Sequence, residues 1–186
     1  MRELFYRAFE MFMARERENL LNNVSERNSC FRLGLYLEEE RKTRSLTAYY
    51  VDAEYNRQQD GQIKAIIDNE SRVVNITCDL ILHSRGQIVE ADNLIALEMK
   101  KSDRPEKEKE KDRVRLRALT KESYDGLWSN DGITLPEYVC GYAFGAFIEL
   151  NAPNALITVE EYERGNMVSR RNFNLSRPAL GAGVTS

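Results

Sequence analysis

The chain has 186 residues, a formal net charge of -3 and an apolar fraction of 42%. A chain of this length is most simply one domain, since domains typically contain about 100 to 200 residues. Its composition excludes a disordered or fibrous protein. The negative charge argues against a general nucleic-acid binder, because such proteins present an excess of Lys and Arg to phosphates. It leaves room for an enzyme whose basic residues gather around a cleft together with metal ions.

The three cysteines predict a reduced environment. Cys30, Cys78 and Cys140 are odd in number, widely spaced and without a CxxC pair, so neither a disulfide framework nor a zinc site is indicated. No segment approaches the roughly 20 apolar residues needed to cross a bilayer. The sequence therefore predicts a cytoplasmic protein with no membrane partner.

The first half of the chain predicts helices followed by strands. Residues 2–42 carry apolar residues at helical spacing and predict two helices, joined near 22–28 with Ser25 as a cap. Residues 46–56 predict a strand that leads into the turn sequence QQDGQ. Residues 73–84 predict a second strand. A third, almost continuously apolar strand is predicted over 93–100.

The second half predicts a helix and two further strands. Ser102 or Asp103 is the expected helix cap and Pro105 lies in the first turn, where its missing N–H costs little. The helix is expected to end near Glu122. Its charge run EKEKEKD is typical of a solvated helix face, and the packing stripe is expected at Val114, Leu116 and Leu119.

Residues 139–150 and 155–163 predict the late strands, and residues 175–186 a flexible tail behind a single domain over 1–174. The order of helix, three strands, helix and two strands predicts an α/β (α+β) fold. Its central mixed sheet would be flanked by helices.

Charged residues interrupt two of these apolar strands. By strand alternation, Asp79 shares a face with Ile81 and His83, away from Cys78, while Glu98 and Lys100 project to one side of the next strand. Such charges are costly in a core unless they pair or bind a metal, and violations of pattern are commonest at functional sites.

The residue types on these strands suit phosphodiester chemistry. Carboxylates of Asp79 and Glu98, with the carbonyl of Met99, are hard oxygen ligands for Mg²⁺ or Mn²⁺. Lys100 would orient or help deprotonate the attacking water and oppose charge that develops on phosphorus. The plainer interpretation is that Glu98 and Lys100 form a surface ion pair worth under about 1 kcal/mol.

Asp79, in VNITCDLILH, and Glu98-Met99-Lys100, ending NLIALEMKK, resemble the D…(D/E)xK signature of the PD-(D/E)xK nuclease superfamily, the restriction endonuclease-like fold. The chain also looks like small prokaryotic proteins of this fold. The resemblance implies an αβββαβ core and a Mg²⁺- or Mn²⁺-dependent hydrolase that acts on nucleic acid, DNA rather than RNA. The chain departs from the signature at Cys78, where many members have proline.

Three further residues are candidates at this site. Glu54 would serve as an extra catalytic or metal ligand or as a partner of Lys100, or equally as a surface strand residue. Glu26 matches the position where many members of the superfamily carry a helix acid. His83 is expected to be a strand-end or capping residue, with a proton carrier as the alternative.

In this fold, phosphate contacts are expected from Arg57, Lys101, Arg113 and Arg117. Small nucleases of this kind often act on two strands as dimers, so a homodimer is expected. The alternative function is a catalytically inactive, nuclease-like subunit or regulatory interaction module. The acidic charge and the lack of a separate DNA-recognition domain favour it.

Overall fold

The computed structural model describes residues 1–55, 65–67, 73–75, 78–121 and 141–175. The α-helices in these ranges are α1 (Arg2–Arg15), α2 (Arg17–Leu21), α3 (Glu26–Thr43) and α4 (Glu106–Leu119). The strands are β1 (Tyr50–Tyr55), β2 (Ala65–Ile67), β3 (Val73–Asn75), β4 (Cys78–His83), β5 (Asn93–Lys101), β6 (Phe144–Asn151), β7 (Leu156–Glu163) and β8 (Asn166–Asn174). Short 3-10 helices cover Val89–Ala91 and Ala152–Asn154.

A six-stranded sheet in the order β1-β4-β5-β6-β7-β8 forms the centre of the protein. Its neighbours pair in antiparallel fashion, except that β5 and β6 are parallel. Parallel neighbours need a crossover connection, and α4 lies in the connection between β5 and β6. The short strands β2 and β3 pair only with each other in the described ranges. The predicted mixed sheet with helices is confirmed.

The two faces of the sheet pack against different helices. Side chains of α1 and α3, such as Phe9 and Leu33, form one buried cluster with Leu97 of β5. On the other face, Leu116 of α4 packs with Ala96 in a second cluster. The strand β5 is therefore covered on both sides, as its continuous apolar sequence predicts.

Ser25 caps α3 as predicted. Its side chain accepts a hydrogen bond from the Asn28 amide at 3.2 Å, which satisfies one of the free donors of the first turn. The segment before it is divided into α1 and α2, with the buried Leu20 anchoring the short second helix. No helix in the described ranges is long and apolar enough to cross a membrane.

Several predicted strand boundaries were wrong. The first strand begins at Tyr50 rather than at residue 46, and the single strand predicted over 73–84 is divided between β3 and β4. The strand β8 was not predicted. Its side chains are mostly exposed on both faces, so no alternation marks it. The predicted turn QQDGQ, residues 139–140 and the tail from 176 lie outside the described residues.

The predicted start and stripe of α4 were also wrong. Pro105 itself is the N-cap, and among the described residues no side chain caps the helix. A capping side chain usually belongs to the N-cap residue, and Ser102 and Asp103 lie before it in the turn at 102–104. Val114 is 44% exposed. Lys109 and Asp112 are buried with Leu116 and Leu119 instead. The helix ends at Leu119, and Glu122 lies outside the described residues.

Leu175 is packed rather than part of a loose tail. It is 4% exposed, and its amide donates to the Ala155 carbonyl at 2.7 Å. Arg17 Nε donates to the Leu175 carbonyl at 2.8 Å. The ordered domain therefore extends at least one residue beyond the predicted boundary at residue 174.

Gly145 of β6 leaves no room for a side chain. An added Cβ would lie 2.9 Å from Thr120 Cγ2 and 3.2 Å from Tyr162 Cβ. We expect Gly145→Ala to lower the free energy of unfolding by about 1–3 kcal/mol, the usual cost of overpacking a core, measured by urea denaturation.

Gly34→Ala is the matched control. Its added Cβ would lie 3.1 Å from Leu80 Cδ1, a methyl group on a flexible side chain, and alanine favours the α-helix over glycine by about 1 kcal/mol. Equal losses of stability in the two variants would contradict the assignment of Gly145 as the tighter contact.

Candidate functional site

The strands β4 and β5 part at Asp79. Residues of the two strands pair from Leu82↔Ile95 to Leu80↔Leu97. In the same register, the next pair would be Asp79 and Glu98. At that point the Met99 amide donates instead to Asp79 Oδ2, at 2.8 Å. The carboxylate thus takes the place that a carbonyl of the neighbouring strand would fill.

Cys78 lies on the opposite face from the one predicted. It packs with Ile81 and Ala96 on the α4 side, and its thiol donates to the Leu97 carbonyl at 3.1 Å. Strand alternation would have placed it with Leu80. The alternation is lost where the pairs of β4 with β5 end at Leu80 and the pairs of β4 with β1 omit Asp79.

A second carboxylate caps the same edge of β5. The Lys101 amide, two residues beyond Met99, donates to Glu26 Oε1 at 2.9 Å. Arg104 Nε also donates to that oxygen, at 3.0 Å. Although burial acts to raise the pKa of Glu26, the hydrogen bonds from Arg104 and from the Lys101 amide lower it below its usual value. Glu26 is therefore held as a carboxylate beside the strand that carries Glu98 and Lys100.

Glu98 is sealed inside the α4 side of the sheet. Its side chain has no exposed surface, and Arg115 Nη1 contacts Oε1 at 2.5 Å. Burial raises the pKa of Glu98 well above its usual range, the Asp79 charge raises it further, and Arg115 opposes both. The other oxygen, Oε2, is buried and has no hydrogen-bond partner among the described residues. This orphaned oxygen needs a proton or a cation.

Lys100 lies between two carboxylates. Its Nζ is 3.0 Å from Asp112 Oδ2 and 3.8 Å from Asp79 Oδ2, and it donates to the Met99 carbonyl at 3.4 Å. Burial acts to lower the pKa of Lys100, but Asp79 and Asp112 raise it above its usual value. The side chain is therefore an ammonium ion, able to donate hydrogen bonds and oppose negative charge but not to take a proton from water.

Asp112 and Arg115 complete the cluster, and neither was predicted. They lie three residues apart on α4, where Arg115 Nη1 contacts Asp112 Oδ1 at 3.2 Å. Burial raises the pKa of Asp112, and Lys100 opposes that shift. The sequence holds one signal, since Asp112, Leu116 and Leu119 follow helical spacing and place a carboxylate in the packing stripe.

A cleft of about 570 Å³ opens on the α3 side of Asp79. Residues lining it include Glu26, Arg27, Phe31, Glu54, Asp79, Met99 and Arg104. The predicted accessory acids Glu26 and Glu54 are thus brought to the same cleft as Asp79. Glu54 pairs with Arg27 at 3.0 Å. In the described part of the chain, neither Glu98 nor Lys100 lines this cleft.

Other predicted residues lie elsewhere. His83 is 1% exposed and pairs with Asp52 at 2.9 Å, and four residues of strand separate it from Asp79 by about 13 Å. The position of His83 agrees with the predicted strand-end role and not with the alternative, a proton carrier beside Asp79. Lys101 Nζ donates to the Asn23 carbonyl at 2.9 Å.

The two residues of α4 that were predicted to contact phosphate, Arg113 and Arg117, form ion pairs with glutamates instead. Arg113 pairs with Glu160 of β7 at 2.9 Å and lies over the Phe147 ring of β6. Arg117 pairs with Glu110 at 2.9 Å. Arg57 lies outside the described residues.

The types of oxygen donor around β5 are, taken one by one, those that a hard divalent cation accepts. Mg²⁺ in proteins is typically held by one or two carboxylates, with water and substrate phosphate as the remaining ligands. Asp79, the orphaned Oε2 of Glu98 and the Met99 carbonyl are donors of this kind. In the described part of the chain, no group of three or more His, Cys, Asp and Glu side chains is placed to hold a metal ion.

Comparison of the chain with protein-family models, with curated proteins and with solved structures gave no significant match.

Removing Arg115 should destabilise the protein strongly, because it leaves Glu98 as a buried and uncompensated acid. We expect Arg115→Met to cost about 3 kcal/mol in urea denaturation at pH 8. The loss should be smaller at pH 5. Glu98 has a raised pKa in the folded chain, so the folded state keeps a proton that the unfolded state releases above about pH 4.3, and stability falls as the pH rises.

Two variants control this experiment. Arg117→Met removes a guanidinium from the same helix, but one that is 39% exposed and pairs with an exposed glutamate, so little change is expected. The double variant Arg115→Met, Glu98→Met should recover more than half of the loss, because no unpaired charge remains at position 98. A double variant as unstable as Arg115→Met would contradict the assignment.

Proposed function

We propose that this protein is a Mg²⁺- or Mn²⁺-dependent nuclease that hydrolyses phosphodiester bonds, in DNA rather than in RNA. One observation carries the proposal. Where β4 and β5 part, Asp79 Oδ2 lies within hydrogen-bonding distance of the Met99 amide and 3.8 Å from Lys100 Nζ. The carboxylate and ammonium of a D…ExK pattern, far apart in sequence, are thereby adjacent, and the carboxylate of Asp79 lines a cleft.

The order of elements supports a restriction endonuclease-like core. Helix α3 precedes β1, β4 and β5, and α4 precedes β6, while the hairpin of β2 and β3 lies between the first two strands of that series. The strands β1, β4 and β5 are consecutive antiparallel neighbours, and β6 adds in parallel to β5. This corresponds to the αβββαβ arrangement implied by the sequence resemblance.

Each residue has a proposed role. Asp79 and Glu98, with the Met99 carbonyl, would hold the cation, which supplies Lewis acidity toward water and phosphate. Lys100, as an ammonium ion, would donate to a non-bridging phosphate oxygen and stabilise the charge that develops there. Glu26 and Glu54, which line the cleft, would orient the attacking water or serve as outer ligands.

A second candidate function is a catalytically inactive module of the same fold. It is favoured by the pairing of Glu98 with Arg115, because a guanidinium at 2.5 Å already neutralises the sealed carboxylate. In that case Arg115 would occupy the role of the cation, and the cluster would only stabilise the packing of α4 on β5.

Cleavage assays test the nuclease proposal. Labelled single-stranded, double-stranded and branched DNA and RNA are incubated with the full chain in Mn²⁺ or Mg²⁺. We expect Asp79→Asn and Lys100→Met each to lower the cleavage rate by about a hundredfold or more, because each loses charge stabilisation of the transition state. Asp103→Asn is the control, since it removes an exposed carboxylate from the turn after β5. The nuclease proposal fails if no substrate is cut, or if the three variants cut equally.

Calorimetric titration with Mn²⁺ distinguishes the two candidate functions. A nuclease should bind Mn²⁺ in a manner that Asp79→Asn abolishes and Asp103→Asn preserves, because the cation needs the carboxylate. An inactive module should give no Asp79-dependent heat. For that module, Arg115→Met should create or strengthen Mn²⁺ binding, since it removes the competing positive charge from Glu98.

A further inference from the structure

Phe31 is exposed inside the cleft that holds Asp79. It lies on α3, lines the cleft and leaves 56% of its surface accessible. A single exposed aromatic side chain would be ordinary elsewhere on a surface. Here it shares a cavity of about 570 Å³ with three carboxylates and two arginines, and cavities of this size typically hold small ligands.

The two arginines of the cleft are available to an anion. Arg27 is 83% exposed and pairs with Glu54 at 3.0 Å, while Arg104 is 50% exposed and pairs with Glu26 at 3.0 Å. An exposed ion pair such as Arg27–Glu54 contributes about 0–1 kcal/mol, so Arg27 can exchange its carboxylate for a phosphate at little cost. Arg104, whose partner Glu26 is only 19% exposed, can contact a phosphate through its exposed half while it keeps that pair. Both contacts would release counterions from the nucleic acid.

The backbone of β1 is strained at the rim of this cleft. Glu54 has a φ of 49°, a left-handed conformation that costs a residue with a side chain roughly 1 kcal/mol or more. The registered pairs of β1 and β4 pass from Ala53↔Leu80 to Tyr55↔Cys78 and omit the position where Glu54 and Asp79 would face each other. At Asp79 the pairing with β1 is therefore interrupted for one residue and the pairing with β5 ends.

We propose that the cleft binds an unpaired nucleotide of a single-stranded nucleic acid, with the base stacked on Phe31 and the flanking phosphates at Arg27 and Arg104. This inference rests on the proposed function, for which it names the substrate class. A base inside a duplex is already stacked between its neighbours, and reaching Phe31 would require flipping it out at a cost of a few kcal/mol. The site therefore selects single strands, overhangs or flaps over continuous duplex.

Fluorescence anisotropy with labelled oligonucleotides tests this site. All variants are made in the Asp79→Asn background, so that binding is measured without cleavage. Phe31→Ala should weaken binding of a single-stranded 12-mer by about 5- to 150-fold, the loss of one stacked base, and leave duplex binding unchanged. Phe31→Trp should retain the affinity. Leu35→Ala is the matched control, since Leu35 is also exposed, at 42%, one turn further along α3, and it should have no effect.

Salt dependence separates stacking from charge. Arg104→Gln should reduce the slope of log K against log salt concentration by about 0.7 for single strands, the contribution of one phosphate contact. Phe31→Ala should leave that slope unchanged. Circular dichroism melting of each variant verifies that it is folded.

The outcomes distinguish this inference from the nuclease proposal. The inference is overturned if neither nucleic acid binds, if Phe31→Ala weakens single-strand and duplex binding alike, or if Leu35→Ala has the same effect as Phe31→Ala. If the Phe31 effect is observed but the chain carrying Asp79 cuts nothing in Mn²⁺, the nucleotide site stands and the nuclease proposal fails.

Discussion

The hydrogen bond from the Met99 amide to Asp79 Oδ2 fixes the point at which β4 and β5 separate. Beyond it, β5 continues alongside β6 without β4, and its next outward amide, that of Lys101, is satisfied by Glu26. Two carboxylates thus replace the carbonyls of a missing strand. The cleft stays open as a result, because two side chains, rather than the backbone of a paired strand, accept hydrogen bonds from the amides at this edge of β5.

The same gap separates two environments around β5. On the α3 side, Asp79, Glu26 and Glu54 border a solvent-accessible cleft. On the α4 side, Glu98 is completely buried against Arg115, and Lys100 is paired with Asp112. Isolated burial of Glu98 would be prohibitive, so Arg115 is a condition for having a carboxylate at this place in the core. The helix α4 therefore supports the site as well as covering the sheet.

Features that depend on nearby residues in the sequence were predicted correctly, whereas features that depend on how the strands and helices pack together were missed. The common side of Glu98 and Lys100 follows from the two-residue period of a strand, and the Ser25 cap from the chemistry of a single residue. Cys78 lies on the face opposite to the predicted one because two strands separate next to it. The alternation of side chains along a strand does not show where such a separation occurs. Arg115 was missed because its role depends on how α4 crosses β5. The strand β8 was missed because its pairing to β7, rather than an apolar face, holds it in place.

The net charge of the cluster around Lys100 would couple the binding of a cation to the binding of a substrate. Among the described residues, Asp79, Glu98 and Asp112 face Lys100 and Arg115. The charges balance while Glu98 keeps the proton that its raised pKa favours, and the loss of that proton leaves one negative charge in excess. A divalent cation would reverse this to one positive charge, which is the charge that a single phosphodiester neutralises. Cation and substrate would each bind more tightly in the presence of the other. In the proposed nuclease, such a cluster would hold a metal more weakly once the product phosphate has left the cleft.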